Sequence, residues 1–381
     1  MQRSWFDRSW PRLSGLVWLT LTACSAGAPR PQSPSGYSAP GIPPLQARPG
    51  HQRPLIAVVA NNPGVELSDL LVPFGILSRD PGLDVRAIAM DDAEVSTFTD
   101  MGAPGPGLRL QATVKAFDGA FPEGADVVVV PAQASGAALM AWLREQAGKG
   151  ATLVSICNGG LIVAQTGLFD GRSATAHWST EDERNRTYPA IHWTRNRRFM
   201  ADGPWISTTG VSAAVPASIA LIEAFHGRAE AGRVAHSLGV NDWSPHHDTQ
   251  AFKPRRLSTA WPLATVAYGN RWWHRPETIR VLAKPGADEV SLALTIDAYA
   301  STGRSQVFVD TGGAASVTTS HGLALLSGTT PAKQVAAPVV APDEKPASAL
   351  DTALDGIMQR YGRATARGVA LVFEYPQPAR P

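Results

Sequence analysis

Cysteine is nearly absent from this chain: 381 residues hold only Cys24 and Cys157. Two cysteines with separate prospects exclude a scaffold stapled by disulfides. Charge is scarce too, at 17% of residues, and the formal net charge of +2 is too small to argue for a nucleic-acid partner. The basic run Arg195-Asn196-Arg197-Arg198 reads as a solvated turn. The uncharged apolar run from Leu13 to Ala23 is about half the length a membrane-spanning helix needs. What the chain does have is 44% hydrophobic residues, ordinary for a protein with a real core, and 31 prolines, which point to linkers. Its length favours two units plus non-globular segments.

Arg3, Arg8 and Arg12 followed by the Leu13 to Ala23 run predict a signal peptide over residues 1–23. The run ends in Leu21-Thr22-Ala23-Cys24, which resembles the lipobox of bacterial lipoproteins. Cys24 is then the lipidation site, and two acyl chains suffice for stable anchoring. Residues 24–53, dominated by Pro, Ser, Gly and Ala, are expected to form a disordered tether. The chain is accordingly expected on the extracytoplasmic side of a bacterial membrane.

Between residues 54 and 250 the pattern alternates strand and helix. Leu55 to Val59, Val85 to Ala89, Asp126 to Val130 and Ala151 to Ile156 read as buried strands. Glu66 to Ser78 carries apolar residues at the spacing of one helix face, and Ala137 to Lys149 is a second helix closed by Gly150. This order predicts a mainly parallel sheet covered on both faces, with chemistry beyond the carboxyl ends of its strands. Cys157 falls there, in Ser155-Ile156-Cys157-Asn158-Gly159-Gly160, where two glycines permit a sharp strand-to-helix reversal. Such a turn presents the sulfur as a nucleophile elbow presents its serine, and the helix start favours thiolate. A small buried hydrophobe is the plain alternative for a lone cysteine.

From Leu55 to Gly239 an ordered series of motifs resembles the DJ-1/PfpI superfamily, in the branch related to the amidase-like domain of AraC-type regulators. They are Glu66-Leu67-Ser68-Asp69, Cys157-Asn158-Gly159-Gly160, Ala164 to Arg172, Ala174-Thr175-Ala176-His177-Trp178, Tyr188-Pro189 and Thr208 to Ala213. The resemblance implies a flavodoxin-like three-layer sandwich. It makes Cys157 the nucleophile and Asp69 the acid beside it, with Glu66 as the alternative acid. It also makes His177 either a further polar site residue or a structural hydrogen-bond partner. Trp178 is a pocket wall or plain core. Oxyanion donors are sought at Asn158, Ala132 and Gln133, although Pro131-Ala132-Gln133 replaces the Pro-Gly-Gly of many members. Asn158 stands where peptidase-like members carry histidine, so protease activity is not expected.

After Gly239 no helix-turn-helix pair follows. Residues 251–375 are expected to form a smaller α/β region with a linker at 330–348. Ile222, Gly227-Arg228-Ala229, Ala231 and Val234-Ala235 recur 135 positions later as Ile357, Gly362-Arg363-Ala364, Ala366 and Val369-Ala370, which suggests a degenerate half-repeat. His246-His247-Asp248 holds ligand-type residues, but adjacent histidines do not readily face one metal, and neither a metal nor a cofactor is expected. Two functions remain in view: a cysteine-dependent site acting on a small electrophile as a hydratase, lyase or hydrolase, or a ligand-binding or redox-sensing module without turnover. The partner is a small molecule in either case, besides the lipid anchor, and an oligomer is compatible with both.

Overall fold

The computed structural model describes residues 41–328, 339–342 and 344–376. The signal peptide, Cys24, the first part of the tether and the first part of the linker lie outside the described residues.

A seven-stranded sheet organises the N-terminal lobe. Its strands run in the order Phe199–Asp202, Trp205–Thr208, Thr152–Ser155, Val127–Val130, Leu55–Ala60, Asp84–Ala89 and Ala112–Thr113. All neighbours are parallel except the first pair. We label Leu55–Ala60 β1, the helix Leu67–Leu77 α1, Asp84–Ala89 β2, Val127–Val130 β3 and Thr152–Ser155 β4. The six residues of β1 are all buried, as a central parallel strand requires. The side-chain alternation of β1 feeds two cores. Leu55, Ala57 and Val59 join the helices Ala137–Gly148 and Gly159–Gln165, while Ile56, Val58 and Ala60 face α1.

All eleven residues of α1 are buried, although its apolar spacing suggests only one buried face. Its outer side is covered by the C-terminal lobe. After the long helix α2 (Ala214–Leu238), that lobe contains β5 (Glu277–Leu282), α3 (Glu289–Ala300), β6 (Ser305–Asp310), β7 (Val339–Val340), α4 (Ala349–Tyr361) and α5 (Arg363–Val372). The helix α3, likewise buried along its whole length, lies against α1. A Cβ added at Gly75 in α1 would come within 3.1 Å of both Glu289 Cβ and Val290 Cγ2. A second junction pairs Leu108–Arg109 with Ala324–Leu326 in antiparallel register.

The lobes share an order of parts. As β1 pairs in parallel with β2 and β3, so β5 pairs in parallel with β6 and β7. The kink of α2 falls at Gly227 (φ 81°, ψ 173°), and the break between α4 and α5 falls 135 positions on, at Gly362 (φ 87°, ψ 166°). Only glycine takes that backbone region without strain, so these two glycines are the most legible part of the recurrence.

Two expected boundaries shift. Residues 41–53 are not free tether: Leu45 N–H donates to Ala224 O (2.9 Å), Arg48 N–H donates to Asp126 Oδ1 (2.8 Å), and His51 lies 2.7 Å from the same carboxylate. Asp126 is buried and gathers these donors, which fixes the segment. The expected linker is also shorter than 330–348, because Val339–Val340 adds to the edge of β5 and Pro346–Ser348 forms a helical turn. Among the described residues no helix is long and apolar enough to cross a membrane.

Tight contact at Gly75 predicts that Gly75→Val costs about 1–3 kcal/mol in urea unfolding, because neither Glu289 nor Val290 has room to retreat. Gly148→Ala, where an added Cβ meets nothing within 4 Å, serves as the control and should be neutral or stabilising. Equal effects of the two substitutions would mean that the lobes are not closely docked.

Candidate functional site

Cys157 occupies the turn between β4 and the Gly159–Gln165 helix with φ 53°, in the left-handed region. A non-glycine residue is held there at a cost of about 1–3 kcal/mol only when its surroundings insist. Here they do. Ile156 N–H donates to Val130 O (3.0 Å) and Cys157 N–H to Thr208 Oγ1 (3.0 Å). Gly159 packs so closely that a Cβ would lie 2.1 Å from Val130 O.

The turn does not expose the sulfur. Cys157 is 1% exposed and belongs to the core shared by the two lobes. Burial pushes its thiol well above the usual value, and the nearby Asp69, Asp100 and Glu66 act in the same direction. The Asn158 backbone N–H, hydrogen-bonded to the cysteine, pulls the other way. The resting form is therefore a thiol, not the thiolate that a helix start would favour.

Asp69, at the first turn of α1, is the carboxyl that acts most strongly on that sulfur. It is fully buried, and Ala132 N–H donates to its Oδ2 (3.1 Å). Burial raises its pKa to about 8; the Ala132 N–H opposes the rise and Asp297 adds to it. Glu66 caps the same helix, its Oε2 accepting from Asp69 N–H (2.5 Å). Both acids weighed from the sequence are thus at the site together.

Two further acids complete the group, and neither was foreseen. Asp100 comes from the loop after Thr97–Phe98, and Asp297 comes from α3 of the C-terminal lobe. Asp297 accepts from Ser68 Oγ (2.8 Å), Asp100 N–H (3.0 Å) and Ser301 Oγ (3.2 Å). Burial raises the pKa of Asp297 as well, and these donors together with the neighbouring Glu66 oppose the rise. Burial, followed by the charge of Asp297, holds Glu66 and Asp100 well above the usual carboxylate range. A lone acid within Leu294-Thr295-Ile296-Asp297-Ala298 was the one available signal in the sequence.

The expected oxyanion donors fare differently. The Ala132 N–H is committed to Asp69 and so is not a free donor. Gln133 ties down the end of β1, its Oε1 accepting from Asn61 N–H (2.6 Å) and its Nε2 donating to Val59 O (3.3 Å). Asn158 is the one of the three whose N–H bonds to the cysteine, and its side chain accepts from Thr180 Oγ1 (3.0 Å).

His177 turns to a structural role, the second of its two expected readings. Its Nδ1 pairs with Ser179 Oγ (2.7 Å) and its Nε2 with Val372 O (2.7 Å). Burial lowers its pKa and keeps the imidazole neutral. Trp178 is buried, its indole donating to Leu371 O (3.3 Å). Beside them Glu374, also unforeseen, accepts from Trp178 N–H (3.0 Å) and Gly210 N–H (3.2 Å), and His247 Nε2 lies 2.9 Å from it. Burial works against this charge, but the contact with His247 outweighs it and holds the carboxylate at about 2. His247 is thereby engaged with a carboxylate, and among the described residues no group of three His, Cys, Asp or Glu side chains is arranged to hold a metal ion.

Comparison with known proteins places these residues in context. Residues 55–224 match the DJ-1/PfpI family. The HTH-type transcriptional regulator CdhR of Pseudomonas aeruginosa is 35% identical over 120 residues, which are 32% of this chain and 35% of the regulator. The isonitrile hydratase of Pseudomonas putida is 28% identical over 168 residues, covering 42% of this chain and 68% of the hydratase. Among solved structures, DJ-1beta of Drosophila melanogaster aligns over 50% of this chain and 100% of its own, at 20% identity and a TM-score of 0.43.

A buried acid with a raised pKa destabilises the fold as pH rises, because the unfolded chain releases a proton that the native state keeps. For Asp69 the window runs from about pH 4, its unfolded value, to about 8, with a slope of at most about 1.4 kcal/mol per pH unit. Neutral His177 contributes in the opposite sense as the pH passes its ordinary value, so the comparison must be with a variant. Asp69→Asn should flatten the fall in urea-unfolding stability between pH 5 and 8. An unchanged slope would show Asp69 ionised in the native state.

Proposed function

We propose, from the premise that residues 55–224 are a DJ-1/PfpI domain, that Cys157 is the nucleophile of a hydratase-type site acting on small neutral electrophiles of the isonitrile class. The observation that carries this reading is a thiol and a carboxylic acid, both protonated at neutral pH and buried together. A site that relied on a preformed thiolate would be poorly served by such burial. An isonitrile asks for something else, because its terminal carbon is basic as well as electrophilic. Asp69 gives its proton to that carbon and a nitrilium ion forms. The neutral thiol attacks the ion and returns its own proton to Asp69, leaving a thioimidate. Water adds to the thioimidate carbon and expels the thiol, so the products are an N-substituted formamide and free Cys157. The site holds an acid and a nucleophile in their productive protonation states throughout. The likeness to the Pseudomonas putida hydratase supports the same class.

Burial of Cys157 restricts the substrate to a small uncharged molecule. Cys157→Ser and Cys157→Ala should each abolish hydration of a small alkyl isonitrile, followed through loss of its infrared N≡C stretch. Wild-type protein without turnover would end this reading.

Commitment of the Ala132 N–H favours one alternative, a ligand-binding module that kept the family site, since the backbone donor expected for an oxyanion is not free. Under it, calorimetry would find isonitrile bound by wild type and Cys157→Ser alike, with no formamide produced.

Anchoring through Cys24 belongs to the same proposal and rests on the sequence argument. In bacteria expressing the full chain, Cys24→Ser should change the protein from one that only detergent releases from the membrane into one that a high-salt wash releases. The same variant should also abolish labelling by a fatty acid. Labelling that persists in Cys24→Ser would overturn lipidation at this residue.

A further inference from the structure

Six large hydrophobic side chains are exposed among the described residues, and five of them fall within one stretch of seventeen: Leu257 (88%), Trp261 (64%), Tyr268 (40%), Trp272 (77%) and Trp273 (74%). Their spacing from 257 to 261, 268 and 272 is that of one helix face. The stretch comprises the helix Leu257–Ala264, a widened turn at Thr265–Gly269 and the helix Asn270–Trp273. Its opposite side is seated firmly. Pro262, Leu263 and Val266 are buried, and Gly368 of α5 is so close that a Cβ there would lie 2.5 Å from Pro262 O. Asn270 Nδ2 donates to Thr302 O (2.7 Å) and Thr365 Oγ1 (3.1 Å). The aromatic face therefore cannot roll inward.

Charge on this face has one sign. From Thr249 to Pro276 there are five Lys or Arg residues and no Asp or Glu, in a chain whose net charge is only +2. Lys253 is buried against Glu181, whereas Arg255, Arg256, Arg271 and Arg275 are exposed around the aromatic stripe. Indole and phenol rings prefer the headgroup level of a bilayer, and flanking arginines reach its phosphates. A second copy of the chain is a poor occupant, since a twofold contact would set these arginines against one another.

We propose that the aromatic and arginine face of residues 255–275 docks on the surface of an anionic lipid bilayer. The face lies parallel to the membrane, with its tryptophans among the headgroups and its arginines on lipid phosphates. This contact is separate from Cys24: it needs no acyl chain and would hold for the unlipidated protein.

The experiment uses the full chain carrying Cys24→Ser, so that no lipid anchor contributes, with vesicles of phosphatidylglycerol and phosphatidylethanolamine and with vesicles of phosphatidylcholine alone. Co-sedimentation and a blue shift of tryptophan emission are expected with the anionic vesicles only, weakening as salt is raised. Replacing Trp272 and Trp273 by serine should weaken binding at least about tenfold, and each exposed arginine changed to glutamine about fivefold. Because the substituted side chains are exposed, circular dichroism should show these variants folded. Failure to bind anionic vesicles would overturn the proposal, as would binding indifferent to both sets of changes. Concentration-dependent dimerisation abolished by the tryptophan changes would overturn it too, by giving the face to a second copy.

Discussion

The junction between the lobes depends on a shortage of charge. Glu66, Asp69 and Asp297 are buried together with the Cys157 thiol, and the half-buried Asp100 lies beside them. An ionised carboxylate without a partner is too costly in such a place, so most of these groups must keep their protons. The link between α1 and α3 at this point is the hydrogen bond that Ser68 Oγ donates to Asp297 Oδ2. The proposed chemistry rests on the same constraint, since a thiol and an acid that both stay protonated suit substrates that must accept a proton before they are attacked.

That junction also accounts for the composition of the two helices that meet there. Neither α1 nor α3 has a polar face to offer solvent, because each is the other's cover. Two polar pairs cross the contact, Ser68 with Asp297 and, just outside the helices, Arg79 with Asp288. The C-terminal lobe is thus an integral wall of the site rather than an appendage. It lies against α1 through α3.

Much of the first lobe was legible in the sequence because its signals are local. Leu55 to Val59 can hardly be anything but a buried strand, and Cys157 followed by Asn158-Gly159-Gly160 marks a tight turn whoever its neighbours are. Asp69 was legible through the motif around it. The rest depends on contacts between residues far apart. Nothing near Ala132 announces that its N–H will be taken by Asp69, 63 positions away. Nothing near His177 announces that Val372 O will claim its ring, 195 positions away. Residues 41–53 read as tether because proline-rich composition does not reveal a buried Asp126 waiting for their backbone. Exposure of the sulfur was inferred from the turn alone, and it failed because the turn says nothing about what the rest of the chain packs around it.

The contact between Ser68 and Asp297 spans 229 positions of chain. During synthesis, then, α1 emerges long before the helix that covers it, and the first lobe waits with an apolar helix uncovered until the last third of the protein is made. Non-local closure of this kind is slow and leaves the waiting surface open to wrong partners.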